Sequence, residues 1–321
     1  MTQASPETAP SPSTVNPVDD RPLVYVNGQL VPRSQAAINV FDHGLLYGDG
    51  VFEGIRVYRG RIFKLQQHMD RLYRSAAAIR LDLEKHVPRD KMIAIQRRCV
   101  EANELTDGYI RLVVTRGVGT LGLHPFKCPT PGIICIADQI SLYPPELYKT
   151  GMRVVVANRP RIPIANLDPR VKSLNYLNNV LAKIEAIDLD CLEVIMLNNV
   201  GRVAECSGDN IFIVKDGAIV TPPTDEGILE GITRRFVLDT VAPGLGIPAE
   251  EKRLVLDDVL GADEVFLTGS AAEIIAVTQI DQHIDGEVTS SHRISDGEGP
   301  ITEKLRKRFR EIVTSDMVPE D

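Results

Sequence analysis

No apolar run in this chain approaches the roughly 20 residues a helix needs to cross a bilayer, which argues against a helical membrane protein. No C-x-x-C pair occurs among the five cysteines, Cys99, Cys128, Cys135, Cys191 and Cys206. No H-x-x-x-H or H-x-x-E-H spacing occurs among the six histidines, so a protein-built metal site is not expected. An odd cysteine count without metal spacing instead predicts reduced thiols and a cytoplasmic setting. A basic excess is also missing. Lys and Arg number 36 against 44 Asp and Glu, for a formal net charge of -8 with both signs interspersed. Nucleic acids and anionic membrane surfaces both reward a basic patch, so neither is an expected partner. A phosphorylated small ligand stays possible, because it needs only a local pocket of donors. The opening MTQASPETAPSPSTVNPVDD has neither the basic nor the apolar region of a signal peptide. Its Pro, Ser and Thr content predicts a disordered leader over 1–21.

What is present is ordinary globular sequence: 321 residues, 43% hydrophobic and 25% charged, long enough for two α/β domains. Val24-Tyr25-Val26 and Gln29-Leu30-Val31 flank Asn27-Gly28, which accepts the positive φ angles of a tight hairpin. A second hairpin is expected from Val51 to Tyr58 and Arg61 to Leu65, turning at Arg59-Gly60. Amphipathic helices follow at about 67–80, burying Met69, Leu72, Tyr73 and Ala76, and at about 89–105, burying Met92, Ile95, Cys99 and Ala102. Strands at 109–115 and 133–137 complete a smaller N-terminal α/β domain, 22–138. Pro144-Pro145 marks 139–150 as a linker. The larger C-terminal domain, 151–321, alternates strands at 153–157, 193–197, 211–214, 218–221 and 264–268 with helices at about 174–187, 233–242 and 301–313. The expected class is mixed α/β in two domains, with the active site between them.

Four stretches of the second half carry chemistry. Lys172 lies in Arg170-Val171-Lys172-Ser173-Leu174-Asn175-Tyr176, where a strand-like segment turns into a helix. A lysine that condenses with a carbonyl must be held beside an apolar wall so that its neutral amine exists. A lone lysine is ordinarily a solvated cation, and only context changes that. Glu205 opens Glu205-Cys206-Ser207-Gly208-Asp209-Asn210-Ile211-Phe212, and a carboxylate entering a strand among small residues can bind a cationic ring nitrogen. Gly231-Ile232-Thr233-Arg234 starts a helix whose free N–H groups suit a phosphate, and Ser270, in Thr268-Gly269-Ser270-Ala271-Ala272, can add a hydroxyl and further amides. Lysine, ring-nitrogen acid and phosphate cup are the parts of a pyridoxal-phosphate site.

In this order the segments resemble the class IV aminotransferases, which include branched-chain aminotransferases, D-amino acid aminotransferases and aminodeoxychorismate lyases. The family's long signature is Glu, any residue, a small residue, two more and Asn, then an apolar residue and an aromatic. It continues with apolar-x-Thr and ends on glycine-apolar-x-basic. It is met from Glu205 through Ile219-Val220-Thr221 to Arg234. The resemblance covers about Leu23 to Val313 and implies the two-domain fold type IV, with pyridoxal 5'-phosphate bound to Lys172 as a Schiff base. Lys172 then also serves as general acid and base, Glu205 faces the ring nitrogen and Tyr176 the ring hydroxyl. Tyr176 lies one residue nearer the lysine than in some enteric bacterial relatives. Arg71, in His68-Met69-Asp70-Arg71-Leu72, corresponds to the phosphate-binding arginine, beside the amides of Ile232 and Thr233 and Ser270. Leu229 packs on the ring. The resemblance also implies sites completed across a dimer interface, hence a homodimer or a dimer-built hexamer.

The substrate is approached through strand alternation. In Val51–Tyr58 it puts Phe52, Gly54, Arg56 and Tyr58 on one face, and in the next long strand Tyr109 and Arg111. Such a mixed face is either a structural or exposed sheet face, or a pocket that takes apolar and acidic side chains in turn. In the branched-chain subgroup, Tyr47 and Arg111 match the residues holding the glutamate side-chain carboxylate. Tyr109 with the amides of Ser270 and Ala271 matches the α-carboxylate site. Phe52 lines the apolar wall and Arg56 organises its neighbours. The subgroup implies transamination of Leu, Ile and Val with 2-oxoglutarate in branched-chain amino acid biosynthesis. D-specific members trap the α-carboxylate with Arg-x-His after Thr-Arg-Gly; here Thr115-Arg116-Gly117 and His124 are present, but Gly122 holds the arginine position. The tryptophan that lines some branched-chain pockets is absent, and Gln139 falls near its place. A D-amino acid or (R)-amine transaminase, a lyase and a catalytically silent cofactor-binding protein remain the alternatives.

Overall fold

The computed structural model describes residues 20–315. The leader assigned to 1–21 falls almost wholly outside the described residues. Two sheets organise the chain, as the mixed α/β class requires. The first uses β1 (Val24–Val26), β2 (Gln29–Val31), β3 (Gly50–Tyr58), β4 (Arg61–Ile62), β5 (Gly108–Thr115) and β6 (Gly132–Asp138), in the order β2-β1-β6-β5-β3-β4. All its pairings are antiparallel. The Asn27-Gly28 hairpin forms with Val24 opposite Val31, and φ is 47° at Asn27 and 106° at Gly28.

The second sheet comprises β7 (Met152–Val156), β8 (Glu193–Leu197), β9 (Val203–Cys206), β10 (Asn210–Lys215), β11 (Ala218–Thr221), β12 (Ala249–Glu251), β13 (Glu264–Gly269), β14 (Glu273–Ile284) and β15 (Glu287–Arg293). Its order is β12-β11-β10-β13-β14-β7-β8-β9, with β15 added on β14. Only β7–β8, β7–β14 and β11–β12 are parallel. Alternation of strands with helices in the sequence had suggested fewer strands; β9, β12, β14 and β15 were not anticipated. The helix expected at about 174–187 starts at Leu177, and the second hairpin is cut short because a helix begins at Leu65.

The helices Leu65–Ala78 and Arg89–Ala102 turn Met69, Leu72, Met92, Ile95 and Cys99 onto the first sheet, which presents Ile55, Val57, Ile110 and Leu112 to them. Fully burying such side chains contributes about 1.5–3 kcal/mol each. A separate aromatic cluster joins the two halves. Phe63, just after β4, meets Phe236 edge-on at 5.2 Å and Phe309 of the C-terminal helix Pro300–Val313 at 6.0 Å. Tyr58 joins it, also edge-on to Phe63. These contacts set β3 of the first sheet against the second sheet, and a cavity opens between them.

Candidate active site

The cavity, about 310 Å³, is lined from the first sheet by Phe52, Gly54, Tyr109 and Arg111, and from the second half by Lys172, Tyr176, Glu205, Leu229, Ile232, Thr233, Ser270 and Ala271. Strand alternation accounts for the first set: β3 and β5 pair with Gly54 opposite Arg111, so their same-face side chains meet. Gly54 must lack a side chain, because a Cβ there would lie 1.7 Å from the Tyr109 hydroxyl.

Lys172 is held by backbone before its side chain does anything. Its carbonyl accepts from Phe52 N at 2.9 Å, Leu174 N donates to Gly50 O at 3.0 Å, and Lys172 N donates to Ser75 Oγ at 3.2 Å. The segment thereby continues the first sheet past β3. Its Nζ donates to the Tyr176 hydroxyl at 3.0 Å and stands 4.6 Å from the centre of the Phe52 ring. Phe52 meets Tyr176 edge-on at 4.9 Å, which completes an aromatic wall around the amine.

Glu205 ends up buried at 5% exposure, with both oxygens engaged. Arg161 donates to Oε1 at 2.8 Å; Asn210 Nδ2 and Leu229 N each donate to Oε2 at 3.0 Å. Burial raises its pKa above the ordinary carboxylate value, and Arg161 and the Leu229 amide oppose that shift. Arg161 was not anticipated. It sits in an irregular loop, where no period marks a residue as pointing inward. Asn179 fixes it in turn, accepting from Arg161 Nη1 at 3.0 Å.

At the other end of the cavity Arg71 is buried and gripped by Glu53. Its Nε and Nη2 donate to the two carboxylate oxygens at 2.8 and 2.7 Å, and Nη1 donates to Glu230 O at 2.8 Å. His68 donates from Nδ1 to Glu53 Oε2 at 2.8 Å. Burial lowers the His68 pKa despite Glu53, so the ring is neutral near pH 7 and Arg71 is the cation of the trio. Burial alone would raise the Glu53 pKa, but Arg71 overrides it and holds Glu53 well below the usual range. The stabilisation is therefore present above the ordinary carboxylate pKa and is lost as pH falls through the lower folded value. Glu53 lies on the face of β3 opposite Phe52, which is why the face reading passed it over.

Removing one partner of a buried ion pair costs about 3–5 kcal/mol, because the other charge stays buried. Glu53→Gln is expected to lower unfolding stability on that scale and to weaken binding of a phosphorylated ligand at Arg71. Denaturant unfolding of the ligand-free protein, with ligand titration alongside, checks both; wild-type values in each would show that Glu53 does not anchor Arg71.

Two expected site residues are not brought into this cavity. Tyr47 ends the short helix His43–Tyr47, and its hydroxyl accepts from Gly122 N at 2.8 Å. A left-handed Gly48 turns the chain away immediately after it, so Tyr47 and Arg111 do not share a wall within one chain. Arg56 lies one step further along β3, donating from Nη2 to Glu273 at 3.4 Å and lining a neighbouring cavity. Conversely, Glu193, Asp209, Lys183 and Tyr143 line the main cavity without having been anticipated. Burial, then the nearby Glu193, pushes the Asp209 pKa up to about 7.

The family model for amino-transferase class IV matches residues 50–280. A "Putative branched-chain-amino-acid aminotransferase" of Methanocaldococcus jannaschii is 47% identical over 291 residues, covering 91% of this chain and 96% of that one. A D-alanine aminotransferase of Listeria monocytogenes is 38% identical over 293 residues, covering 90% and 96%. A T.th. branched-chain amino acid aminotransferase, solved with pyridoxamine 5'-phosphate, superposes with a TM-score of 0.82 at 33% identity, covering 91% of this chain and 94% of that one. A second structure of it, with N-(5'-phosphopyridoxyl)-L-glutamate, gives 0.80. The chain belongs to the class IV aminotransferases, a pyridoxal-phosphate-dependent family of fold type IV.

The donor set fits that cofactor. A primary amine stands mid-cavity, a buried carboxylate closes one end, and a buried arginine and the start of the helix Ile232–Phe236 close the other. The Thr268 hydroxyl, in a residue 1% exposed and on the cavity wall, has no partner among the described residues, which leaves a donor for a ligand oxygen. Thr268 went unremarked in the sequence beside the more evident Ser270.

Proposed function

We propose that this aminotransferase moves the amino group of branched-chain L-amino acids, Leu, Ile and Val, to 2-oxoglutarate. The observation that carries the reading is Arg111. Its guanidinium lies 4.7 Å over the Phe52 ring and 5.5 Å from the Tyr109 ring centre, with Nη2 3.4 Å from the Tyr109 hydroxyl. Among the described residues it has no carboxylate partner. A half-buried cation on an aromatic wall leaves room for an apolar side chain against Phe52 and offers a charge to an acidic one. Successive use of leucine and glutamate needs both.

The bound cofactor supplies the electron sink for the substrate's α-carbon. Lys172 Nζ carries the proton to and from that carbon, and Tyr176 positions Nζ. Glu205 keeps a proton on the ring nitrogen. Arg71, the Ile232 and Thr233 amides and Ser270 hold the phosphate, and Leu229 packs on the ring. Tyr109 with the Ser270 and Ala271 amides receives the α-carboxylate. Tyr47 acts in the site of a second copy. Val40, Phe41, Leu45, Leu121, Leu123 and Phe126, near it in sequence or beside its Gly122 partner, are apolar and 46–80% exposed, which supports burial of this surface in a homodimer.

D-alanine aminotransferases are also close relatives, which keeps a D-amino acid reading in play. Against it stands Gly122, which holds the position of the arginine in the D-specific Arg-x-His element.

The test is Arg111→Leu, with each half-reaction followed separately. Hydrogen bonds to charged groups contribute about 1.5–3 kcal/mol, so glutamate and 2-oxoglutarate should lose roughly 10- to 150-fold in kcat/KM. Leucine and its oxo acid should lose far less, because the replacement extends the apolar wall. An equal loss for both would move Arg111 to the α-carboxylate and remove the basis for the dual-substrate reading.

A further inference from the structure

A second cavity, about 340 Å³, lies behind the turn that follows β13. Arg56, Lys149, Arg306 and Arg310 line it together with Tyr148, and no carboxylate does. Two carboxylates stand behind these cations. Glu298 pairs with Arg306 through both oxygens at 2.6 Å. Glu273 is shared: Arg56 donates to its Oε1 at 3.4 Å, and Arg310 Nε is 2.5 Å from its Oε2, an ion pair whose geometry is not that of a hydrogen bond. Glu303, which also acts on Arg306, is paired with Lys307 at 2.7 Å, so the four cations lining the cavity are set against those two carboxylates, an excess of two positive charges. Arg56 Nε is buried and has no hydrogen-bond partner among the described residues. A buried donor without a partner is costly, and a ligand oxygen is one way it is met.

The cavity is coupled to the active site by construction. Leu142, Tyr143 and Ala271 line both. Glu273, held by Arg56, Arg310 and the Tyr58 hydroxyl at 2.9 Å, closes the turn whose Ser270 and Ala271 line the main cavity. Its φ of 61° is one that a non-glycine residue keeps only when its surroundings hold it there.

We propose that this cavity is a second anion site, which takes a phosphate dianion, free or as a small monoester, and adjusts substrate affinity through the Gly269–Glu273 turn. A dianion matches the excess of two charges. It draws on Arg56 and Arg310, the groups that fix Glu273, so its effect falls on amino-donor binding rather than on the reacting carbon. The cofactor's own phosphate site lies at the far side of the turn, on Arg71 and Thr233, and stays filled in the holoenzyme.

The experiment uses cofactor-loaded enzyme and whichever amino donor it turns over fastest, at constant ionic strength set with chloride. Inorganic phosphate in one arm and glycerol phosphate in the other are titrated while KM and kcat are measured. The expected result is a change in KM of about fivefold or more that reaches a plateau, with kcat nearly constant. A plateau with only one of the two identifies the source. Lys149→Gln, and Lys149→Gln with Arg306→Gln, should keep the KM seen without phosphate and lose the plateau or shift it to much higher phosphate. A KM that rises linearly without limit places the anion in the active site and overturns the proposal. So does a flat KM, or variants that respond like the parent enzyme.

Discussion

Lys172→Ala is expected to abolish turnover while leaving a folded protein that still binds the cofactor. The backbone of residue 172 makes its bonds to Phe52 and Ser75 whatever the side chain, so the fold at this point does not depend on the amine. What is lost is the primary amine bonded to Tyr176 and set against the aromatic wall. A positioned acid–base group contributes about 10²–10⁴-fold. Loss of the covalent hold on the cofactor adds a positioning penalty, so a fall in kcat of about 10⁴-fold or more is expected. Single-turnover assays with saturating cofactor measure it, and circular dichroism confirms folding. Transamination near the parent rate by a folded mutant would falsify the assignment of the proton transfer to Lys172.

Glu205→Gln is expected to slow the chemical step by about 10²–10³-fold, the scale seen when one preorganised electrostatic group is removed. The carboxylate is gripped on both oxygens by Arg161, Asn210 and the Leu229 amide. An amide in its place turns an N–H₂ group toward one of these donors and cannot offset a protonated ring nitrogen. Cofactor affinity should change much less, because Arg71 and Thr233 are untouched. The comparison is single-turnover rate against cofactor dissociation constant. A mutant that keeps its rate and loses its cofactor would make Glu205 an anchoring group instead.

The expected residues that meet in the main cavity were legible because each belongs to a local pattern. Lys172 precedes a tyrosine and a helix, Glu205 opens a long spaced signature, and Phe52, Gly54, Tyr109 and Arg111 follow from alternation along two half-buried strands. What stayed hidden depends on partners distant in the chain. Glu53 and Arg71 form their pair only because the helix Leu65–Ala78 covers the back of β3. Arg161 reaches Glu205 from a loop with no period. β14 is covered over most of its length and hydrogen-bonded on both sides, to β13 and to β7, so its apolar residues run on without the alternation that marks a strand. β15 is exposed throughout and gives no core-facing signal at all. Tyr47 was placed by resemblance. The chain alone gives it a hydrogen bond to Gly122 rather than a place beside Arg111.

The branched-chain reading rests on which amino donor reacts first with the cofactor. The direct measurement is a panel of half-reactions, L-leucine, L-isoleucine, L-valine, L-glutamate, D-alanine and an (R)-amine, each followed by loss of the cofactor's visible absorbance. The account predicts that the three branched L-amino acids and glutamate convert the cofactor efficiently. D-alanine and the amine should trail them by about 10²-fold or more, the scale on which a misplaced carboxylate leaves the site's polar groups unpaired. Faster conversion by D-alanine than by L-leucine would contradict it, and would place this aminotransferase with its D-specific relatives despite Gly122.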